Sequence, residues 1–247
     1  MVAKTITLPN VRRLFIPDPG MIIADADLSG ADAQVVAWEA GDEKLKAAFR
    51  SGIKIHKFNA ETVYGKGICD NEDTSSPLSR YYKTKKWVHG TNYGSGAKTI
   101  AEATNDPISE AQEFQRIWFK EHPEIKAWQE RISHELQMNR FVRNAFGFRR
   151  YYFERIEGLL PEALAWIPQS TVAITINKGL LNLHRNLKQV QLLLQVHDSL
   201  VFQYPKSEHP HILIEVKKQL QIVIPYPDPL IIPVNIKTSD KSWGECA

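Results

Sequence analysis

Residues 189–203, QVQLLLQVHDSLVFQ, contain two β-rich apolar runs that flank the dipeptide His197-Asp198. Two residues between two such runs is the spacing of a tight β-hairpin. Aspartate is common in turns, because its side chain bonds nearby backbone and tolerates unusual dihedral angles. The segment therefore predicts an antiparallel hairpin with Asp198 at its tip. Taken alone, Asp198 is most simply interpreted as a turn residue.

A second candidate strand lies near the start of the chain, at residues 21–28 (MIIADADL). Asp25 and Asp27 are two residues apart, so they face the same side of a strand. Taken alone, they fit a strand end before a helix N-terminus, whose dipole favours negative charge. Taken together, Asp27 and Asp198 suit a two-metal phosphoryl-transfer site, since Mg²⁺ prefers oxygen ligands and usually takes one or two protein carboxylates.

The chain between these two segments is mainly helical in pattern. Ser79 is a candidate N-cap, and the stretch beginning at Ser109 resembles a capping box. A hairpin is expected around 141–153, with its turn at Gly147. Helices are predicted from Ala31 to Gly41 and over 43–50, 55–64, 79–93, 160–187 and 207–221, with a last strand at 231–236. A further helical run is predicted from near Ser109 to about 138, interrupted or restarted at Pro123. This layout predicts an α+β fold in which a small antiparallel sheet carries a large helical insertion.

Two basic segments indicate a nucleic-acid partner more clearly than the net charge of +3 does. Residues 79–100 and 140–153 contain several Lys and Arg residues and no acid, and aromatic residues are interspersed among them. Such stretches suit a phosphate backbone and stacked bases. A solvated basic face is an equally simple interpretation of this composition.

The first basic segment also carries a regular stripe. Tyr81, Lys85, His89 and Tyr93 recur every four residues, so they share one face of the predicted helix. A cation, an imidazole and aromatic rings along one face could grip a triphosphate and stack on a base. An ordinary amphipathic surface helix is the competing interpretation.

Targeting signals are not evident in the sequence. No apolar run approaches the roughly 20 residues needed to span a membrane, and the N-terminal residues lack the apolar core of a signal peptide. Cys69 and Cys246 have the spacing of neither a disulfide framework nor a zinc site. We therefore expect a cytoplasmic protein with no membrane partner.

Three segments, in this order, resemble motifs A, B and C of family A DNA polymerases. Motif A of that family is Asp-x-Ser-(Gln/Gly)-x-Glu before a helix, and residues 27–32 read DLSGAD. Motif B is an Arg, a Lys, an aromatic-Gly pair and Tyr-Gly, and here Lys85, His89-Gly90 and Tyr93-Gly94 match it. Motif C is an apolar strand ending Gln-Val-His-Asp-Glu, matched by LQVHDS. Further segments that resemble the family are Ile55-His56, FGFRRY at 146–151, PQSTVA at 168–173 and KSWGE at 241–245.

The resemblance implies the palm and fingers of a polymerase. The expected divisions are residues 1–40 as the first part of the palm with motif A, 41–150 as the fingers with motif B, and 151–247 as the second part of the palm with motif C. No thumb or exonuclease domain is expected, because motif A begins as early as Asp27. The implied activity is template-directed DNA synthesis, the transfer of a nucleotide from a dNTP to a primer 3′-hydroxyl by a two-metal mechanism.

The resemblance also implies residue roles. Asp27 and Asp198 would be the catalytic carboxylates, and with the backbone carbonyl of Leu28 they would bind two Mg²⁺ ions, for which Mn²⁺ is a substitute. The expected nucleotide-binding residues are Asp32, Arg80, Lys85, His89 and Tyr93. The residues expected to contact the DNA primer–template, mostly at its minor groove and backbone, are Arg149, Arg150, Gln169 and His197.

Several positions depart from the family pattern. Asp32 replaces the glutamate that packs against the sugar C2′, which predicts weaker exclusion of ribonucleotides. His89 stands where most members have Phe or Tyr. Tyr81 occupies the position of the expected arginine, with Arg80 one place earlier, and Ser199 replaces the acid after the motif C aspartate.

The early position of motif A predicts a weak grip on duplex DNA and low processivity. The chain is then expected to be a fragment of an open reading frame, one half of a split polymerase, or a chain that takes its thumb or exonuclease from a separate partner chain. Motifs A and B look closest to phage replicative enzymes, so a bacterial or phage-infected host cell is the expected setting. One alternative is a single-subunit RNA polymerase, against which Asp32 and the Gln-Val-His-Asp of motif C argue. Another is a catalytically silent or partner-dependent nucleic-acid-binding polymerase fragment, which the presence of both aspartates disfavours.

Overall fold

A computed structural model describes residues 9–246 of the chain. Its α-helices are α1 (Ala31–Ala40), α2 (Glu43–Arg50), α3 (Ile55–Tyr64), α4 (Arg80–Asn92), α5 (Ala97–Glu102), α6 (Ile108–Glu121), α7 (Pro123–Asn139), α8 (Leu160–Asn186) and α9 (His211–Leu220). Its strands are β1 (Met21–Leu28), β2 (Phe141–Arg143), β3 (Arg149–Tyr151), β4 (Gln191–Val196), β5 (Ser199–Pro205), β6 (Val223–Ile224), β7 (Leu230–Ile231) and β8 (Val234–Ser239). These elements confirm the predicted α+β class. Among the described residues, no helix is both long and apolar enough to cross a membrane.

Strand β1 is an inner strand of an antiparallel sheet with the order β4-β5-β1-β8. An inner strand has a neighbour on both sides, which satisfies its backbone, and its apolar residues Ile23, Ala24 and Ala26 have no exposed surface. The register pairs Asp27 with Ser199 of β5 on one side and with Asn235 of β8 on the other. The sheet therefore brings the end of β1 to the start of β5.

Strands β4 and β5 form the predicted hairpin. Val196 pairs with Ser199, so His197 and Asp198 are the two turn residues. A register irregularity between Leu192 and Leu194 interrupts the ladder farther from the turn. The hairpin confirms the structural prediction for this segment. Asp198 directly precedes Ser199, which pairs with Asp27.

The chain divides into two compact units. The first, here called the sheet unit, consists of the chain up to Ala31, Val172–Ile224 and the chain from Ile231 onward. The second, here called the helical unit, consists of Asp32–Thr171 and Pro225–Leu230. Two changes of unit fall within α1 and α8, and two more lie at the ends of the segment Pro225–Leu230, whereas the sequence-based divisions lie at residues 40 and 150.

The core of the helical unit is built from large aromatic side chains. Trp87, Trp118 and Trp128 are at most 1% exposed, and buried tryptophans contribute the largest apolar contact areas. The ring of Phe114 stacks on Trp118 at 6.2 Å and meets Trp87 edge-on at 5.3 Å. These contacts hold α4 against α6, so the stripe on α4 has a rigid support.

The bounds of α2 and α3 agree with the sequence-based prediction, and Ser79 caps α4 by accepting the backbone N–H of Tyr82 at 3.1 Å. The predicted capping box at Ser109 is wrong, because Pro107 is the N-cap residue of α6 and α6 begins at Ile108. Helix α5 was not predicted. The last predicted strand is divided into β7 and β8, because Pro233 lies between them and lacks a backbone N–H for a sheet ladder.

Candidate active site

Asp27 and Asp198 lie together in the sheet unit. The backbone N–H of Leu28 donates to the carbonyl oxygen of Asp198 at 3.1 Å, which ties the end of β1 to the hairpin tip. Both aspartates line a pocket of about 390 Å³, together with Asp25, His197 and Lys237. Two carboxylates from distant parts of the sequence therefore open into one cavity.

His197 is the first residue of the hairpin turn, and its backbone is left-handed, with φ of 55°. Positive φ is uncommon outside glycine, although histidine adopts it more often than most residues. Such a conformation costs on the order of 1 kcal/mol and persists where the surrounding structure enforces it, often at functional sites. Here the neighbouring pairs of β4 and β5 hold the turn that carries Asp198.

The pocket is electrostatically unfavourable for a charged Asp27. Loss of hydration is the largest cause, and the negative charges of Asp198 and then Asp25 add to it, so the pKa of Asp27 rises from 3.8 to about 6. The positive charge of Lys237 opposes this rise only in part. A carboxylate whose charged form is disfavoured in this way is a candidate active-site residue. It is also a candidate ligand for a cation, because a nearby positive charge would stabilise the charged form.

Asp25 is fixed by a hydrogen bond from the other end of the chain. Its Oδ2 accepts the indole N–H of Trp243 at 2.7 Å, while its Oδ1 is buried without a hydrogen-bond partner among the described residues. Trp243 in turn packs edge-on against Phe15 at 5.6 Å and lies under the guanidinium of Arg12. The C-terminal turn thereby holds the carboxylate that neighbours Asp27.

We expect the substitution Asp27→Asn to raise the melting temperature at pH 8 in the presence of EDTA. Folding raises the pKa of Asp27 from 3.8 to about 6, so above that pH the charged carboxylate favours the unfolded state, and below 3.8 this penalty is absent. The difference in melting temperature between Asp27→Asn and the wild type should therefore shrink as the pH falls from about 6 to about 4. Thermal unfolding followed by circular dichroism measures it.

The control for that experiment is Asp240→Asn, which changes an exposed carboxylate of the sheet unit whose ion pair with Lys206 lies at the surface, at 3.4 Å. Surface pairs contribute little to stability, so the melting temperature of this variant should be close to that of the wild type at pH 8 and also at about pH 4. Equal melting temperatures for Asp27→Asn and the wild type at pH 8 would contradict the raised pKa.

The donor atoms of this pocket suit a hard divalent cation. Asp27 and Asp198 supply carboxylate oxygens that repel each other in the absence of a positive charge, and Mg²⁺ is commonly bound by one or two carboxylates plus water and substrate phosphates. Within residues 9–246, no three His, Cys, Asp or Glu side chains are grouped so as to hold a metal by themselves. A bound ion would therefore need ligands from substrate and water.

A second cluster lies in the helical unit around α4. The hydroxyl of Tyr93 donates to Oδ2 of Asp32 at 3.1 Å, and the rings of His89 and Tyr93 meet at 4.4 Å. Loss of hydration lowers the pKa of His89, the charge of Lys85 lowers it further, and the charge of Asp32 opposes both effects. The structure thus groups four of the residues that the resemblance predicted to bind the nucleotide, namely Asp32, Lys85, His89 and Tyr93.

His56 belongs to the same surroundings, although its sequence context predicted no role beyond its place in a segment that resembles the family. Its ring meets Tyr81 edge-on at 5.9 Å, and its Nδ1 is buried without a partner among the described residues. Loss of hydration and the charge of Lys85 lower its pKa to about 4. The neutral imidazole beside a lysine is a further candidate ligand for phosphate oxygens, and the Ile-His match was the signal that could have found it.

The remaining predicted residues have separate surroundings. The guanidinium of Arg80 lies over the ring of Tyr64 at 5.4 Å. Arg150 pairs with Glu162 and lies over Tyr152. Arg149 and Gln169 are exposed in the helical unit, whereas His197 is exposed in the sheet unit.

Comparisons with known proteins agree with these features. The family model described as DNA polymerase family A matches residues 3–245. The thermostable DNA polymerase I of Thermus filiformis is 30% identical over 245 residues, which cover 96% of this chain and 28% of that protein. The DNA polymerase of Mycobacterium phage D29 is 28% identical over 242 residues, which cover 96% of this chain and 38% of that protein. The chain thus spans well under half the length of these relatives.

A solved structure has the same fold. It is the POL domain of Pol1 from M. smegmatis in complex with DNA primer-template and dNTP, and it matches with a TM-score of 0.82 at 21% sequence identity. The match covers 96% of this chain and 42% of that chain.

Proposed function

Because this chain belongs to DNA polymerase family A, which its match over residues 3–245 shows, we propose that it performs template-directed DNA synthesis. The reaction would transfer a nucleotide from a dNTP to a primer 3′-hydroxyl. The observation that carries this proposal is the shared pocket of Asp27 and Asp198, in which loss of hydration and then the neighbouring negative charges raise the pKa of Asp27 to about 6. The named relatives are themselves DNA polymerases.

In this mechanism Asp27, Asp198 and the backbone carbonyl of Leu28 would hold two Mg²⁺ ions, with Mn²⁺ as a substitute. Such ions supply positive charge that lowers the pKa of the attacking hydroxyl and stabilises the leaving pyrophosphate. The contribution of the protein is to fix its carboxylates in advance. The bond from Leu28 N–H to the carbonyl of Asp198, 3.1 Å long, supports this role, because it joins the end of β1, which carries Asp27, to the hairpin turn that carries Asp198. Such fixed positions lower the cost of bringing the reacting groups together.

The cluster on α4 would bind the incoming nucleotide. Lys85 is exposed and charged, so it can contact the triphosphate, with Arg80 as a second cation and the neutral His56 as a hydrogen-bonding neighbour. His89 and Tyr93 would face the base and sugar through their rings. Asp32 would limit the space at the sugar C2′, since its carboxylate is held by Tyr93.

We further assign the sheet unit to the palm and the helical unit to the fingers. Arg149, Arg150, Gln169 and His197 would contact the primer–template. The solved structure of the same fold was determined with DNA primer-template and dNTP, which supports these partners. A separate chain that supplies a thumb or exonuclease is a further proposed partner. The cytoplasm of a bacterial or phage-infected cell is the proposed setting, because the named relatives come from a bacterium and a phage.

Primer extension tests this function. A 5′-labelled primer annealed to a longer DNA template is incubated with the chain, Mg²⁺ and the four dNTPs, and the products are separated by length. Extension that follows the template sequence and stops when EDTA is added is the expected result. If the chain binds primed DNA but extends it under none of these conditions, with Mn²⁺ included, it acts by itself as a nucleic-acid-binding fragment and the proposal is wrong for the isolated chain.

We expect the substitution Asp32→Glu to strengthen discrimination against ribonucleotides. The longer side chain would occupy the space that Asp32, held by Tyr93 at 3.1 Å, leaves open near the sugar. One methylene group is typically worth about 10-fold or more in discrimination. The measurement is the ratio of kcat/KM for dCTP to that for CTP, with Asp73→Glu, an exposed loop position, as the control. Equal ratios for Asp32→Glu and the wild type would rule out this role for Asp32.

A further inference from the structure

The outward side of the β2–β3 hairpin combines aromatic rings with arginines. The register pairs Phe141 with Tyr151 and Arg143 with Arg149, and the period of two along a strand puts these four side chains on the same side of the hairpin. Phe153 continues this surface just after β3, because its ring lies nearly parallel to that of Tyr151, 17° and 6.4 Å away. We call these five residues the hairpin face.

The rings at and beside this face are open to solvent. Tyr151 is 51% exposed and Phe153 89% exposed, and Phe148, in the turn of the hairpin, is 60% exposed. Large apolar side chains that cluster in water mark a contact surface. Three exposed aromatic residues within six positions of the chain therefore need a partner to explain them.

The arginines of the face are available for a negatively charged partner. The guanidinium of Arg149 lies over the ring of Phe141 at 4.9 Å and donates a hydrogen bond to the hydroxyl of Tyr151 at 3.4 Å. Within residues 9–246 the arginines that form ion pairs are Arg50, Arg116 and Arg150, so Arg143 and Arg149 form none there. Arg150 differs, since it points to the other side of the strand and pairs with Glu162. Guanidinium groups that have no acidic partner among the described residues thus alternate with rings, which disfavours a purely apolar protein surface as the partner.

The hairpin is also held in one conformation. Asn144 is 4% exposed, and its Oδ1 accepts the backbone N–H groups of Phe146 and Phe148 at 3.1 and 3.0 Å. Its Nδ2 donates to the hydroxyl of Ser170 at 2.9 Å. A surface that is rigid before binding loses less conformational freedom when it binds.

We propose that the hairpin face and Phe148 bind the unpaired bases of single-stranded DNA, namely the part of a template that is not yet copied. Its rings stack on the bases, and Arg143 and Arg149 contact the phosphates between them. Stacking of this kind tolerates any sequence, because every base has a flat aromatic surface. This inference rests on the proposed function, which makes a DNA template the partner.

The test measures binding of a fluorescein-labelled single-stranded oligo(dT) and of a blunt duplex by anisotropy, in EDTA and without dNTP. We expect Phe153→Ala and Phe148→Ala each to weaken single-strand binding at least about fivefold and to leave duplex binding unchanged. Phe153→Trp should retain the affinity and Phe153→Leu should lose it, because stacking needs a ring. The control is Ile214→Ala, which removes a 57% exposed apolar side chain from the sheet unit.

Three outcomes would overturn the inference. Wild-type affinity of Phe153→Leu for oligo(dT) would mean that an apolar side chain suffices for binding and that no ring stacks on a base. Equal losses of affinity for oligo(dT) and for the duplex in the alanine variants would mean that the face is not specific for single strands. Unchanged single-strand binding in both alanine variants, with a loss of self-association in sedimentation, would assign the face to a protein partner. The melting temperature of each variant, expected to equal that of the wild type, excludes misfolding.

The same assay separates this inference from the proposed function. It contains neither metal nor nucleotide, so it does not depend on catalysis. If the wild type fails to extend a primer but the aromatic variants lose single-strand affinity as expected, the proposed function is wrong and the binding face stands. If the wild type extends a primer but the aromatic variants bind single-stranded DNA as the wild type does, the proposed function stands and the binding face is wrong.

Discussion

The substitution Asp198→Ala is expected to abolish detectable primer extension, with a loss of at least about 100-fold in rate, the usual effect of removing one pre-positioned electrostatic group from an active site. Asp198 shares its pocket with Asp27, and its charge is one of the causes that raise the pKa of Asp27 to about 6. Alanine at this position leaves Asp27 as the one remaining carboxylate of the proposed metal-binding pair, because Asp25 is engaged by the indole N–H of Trp243. Single-turnover extension at saturating dNTP measures the chemical step.

The control for this experiment is Asp240→Ala. Asp240 is an exposed aspartate of the sheet unit, outside the pocket, and its ion-pair partner among the described residues is Lys206, at the surface. This variant should extend primers at the wild-type rate. Both variants should bind primed DNA in EDTA as the wild type does, which separates the loss of chemistry from a loss of binding. Undiminished extension by Asp198→Ala would remove Asp198 from the catalytic site.

The largest effect on stability is expected from Asp42→Ala in the helical unit. Asp42 is 1% exposed and caps α2 by accepting the backbone N–H of Leu45 at 2.9 Å. Its other oxygen lies 2.6 Å from Nδ1 of His122, which is 0% exposed and whose Nε2 already lacks a partner among the described residues. Alanine removes the cap, worth about 1 kcal/mol, and leaves a buried imidazole without a partner, a cost of about 1–3 kcal/mol.

Urea unfolding of Asp42→Ala should therefore show a loss of about 2–4 kcal/mol in the free energy of unfolding. Ser79→Ala is the matched control, because Ser79 is also a buried N-cap residue but has no buried histidine as its partner. It should lose about 1 kcal/mol. A second variant, Asp42→Asn, keeps the capping oxygen and should lie between Asp42→Ala and the wild type. Equal losses in Asp42→Ala and Ser79→Ala would show that the contact with His122 contributes nothing.

The sequence predicted those elements whose ends are marked by their own residues. Asp42 and Ser79 cap the helices that follow them, and the turn His197-Asp198 joins two apolar runs. The prediction failed at Ser109, because the rigid backbone of Pro107 defines the start of α6 two residues earlier. It failed again at Pro233, whose missing N–H divides the last strand into β7 and β8. Both errors arose where a proline outweighed a side-chain signal.

The candidate site was predicted in its residue types but not in its energetics. The order of motifs named Asp27, Asp198, Asp32 and Tyr93, and the structure groups them in two pairs, one in each unit. The candidate phosphate-binding role of His56 was not predicted, because the sequence does not show that the fold brings Tyr81 and Lys85 close to it. The hairpin face was foreseen only as a basic and aromatic composition, because exposure and ring stacking depend on the folded hairpin.

By itself, the sequence determined strands β1, β4 and β5, several helix ends and the two candidate carboxylates, because hydrogen bonding between near neighbours and the period of apolar residues act over a few positions. Only the tertiary structure decided that Asp27 has a pKa of about 6, that Asp25 is held by Trp243, and that His122 is buried against Asp42. Each of these depends on loss of hydration and on charges or donors from distant segments. Such forces exist only once the chain has brought those segments together.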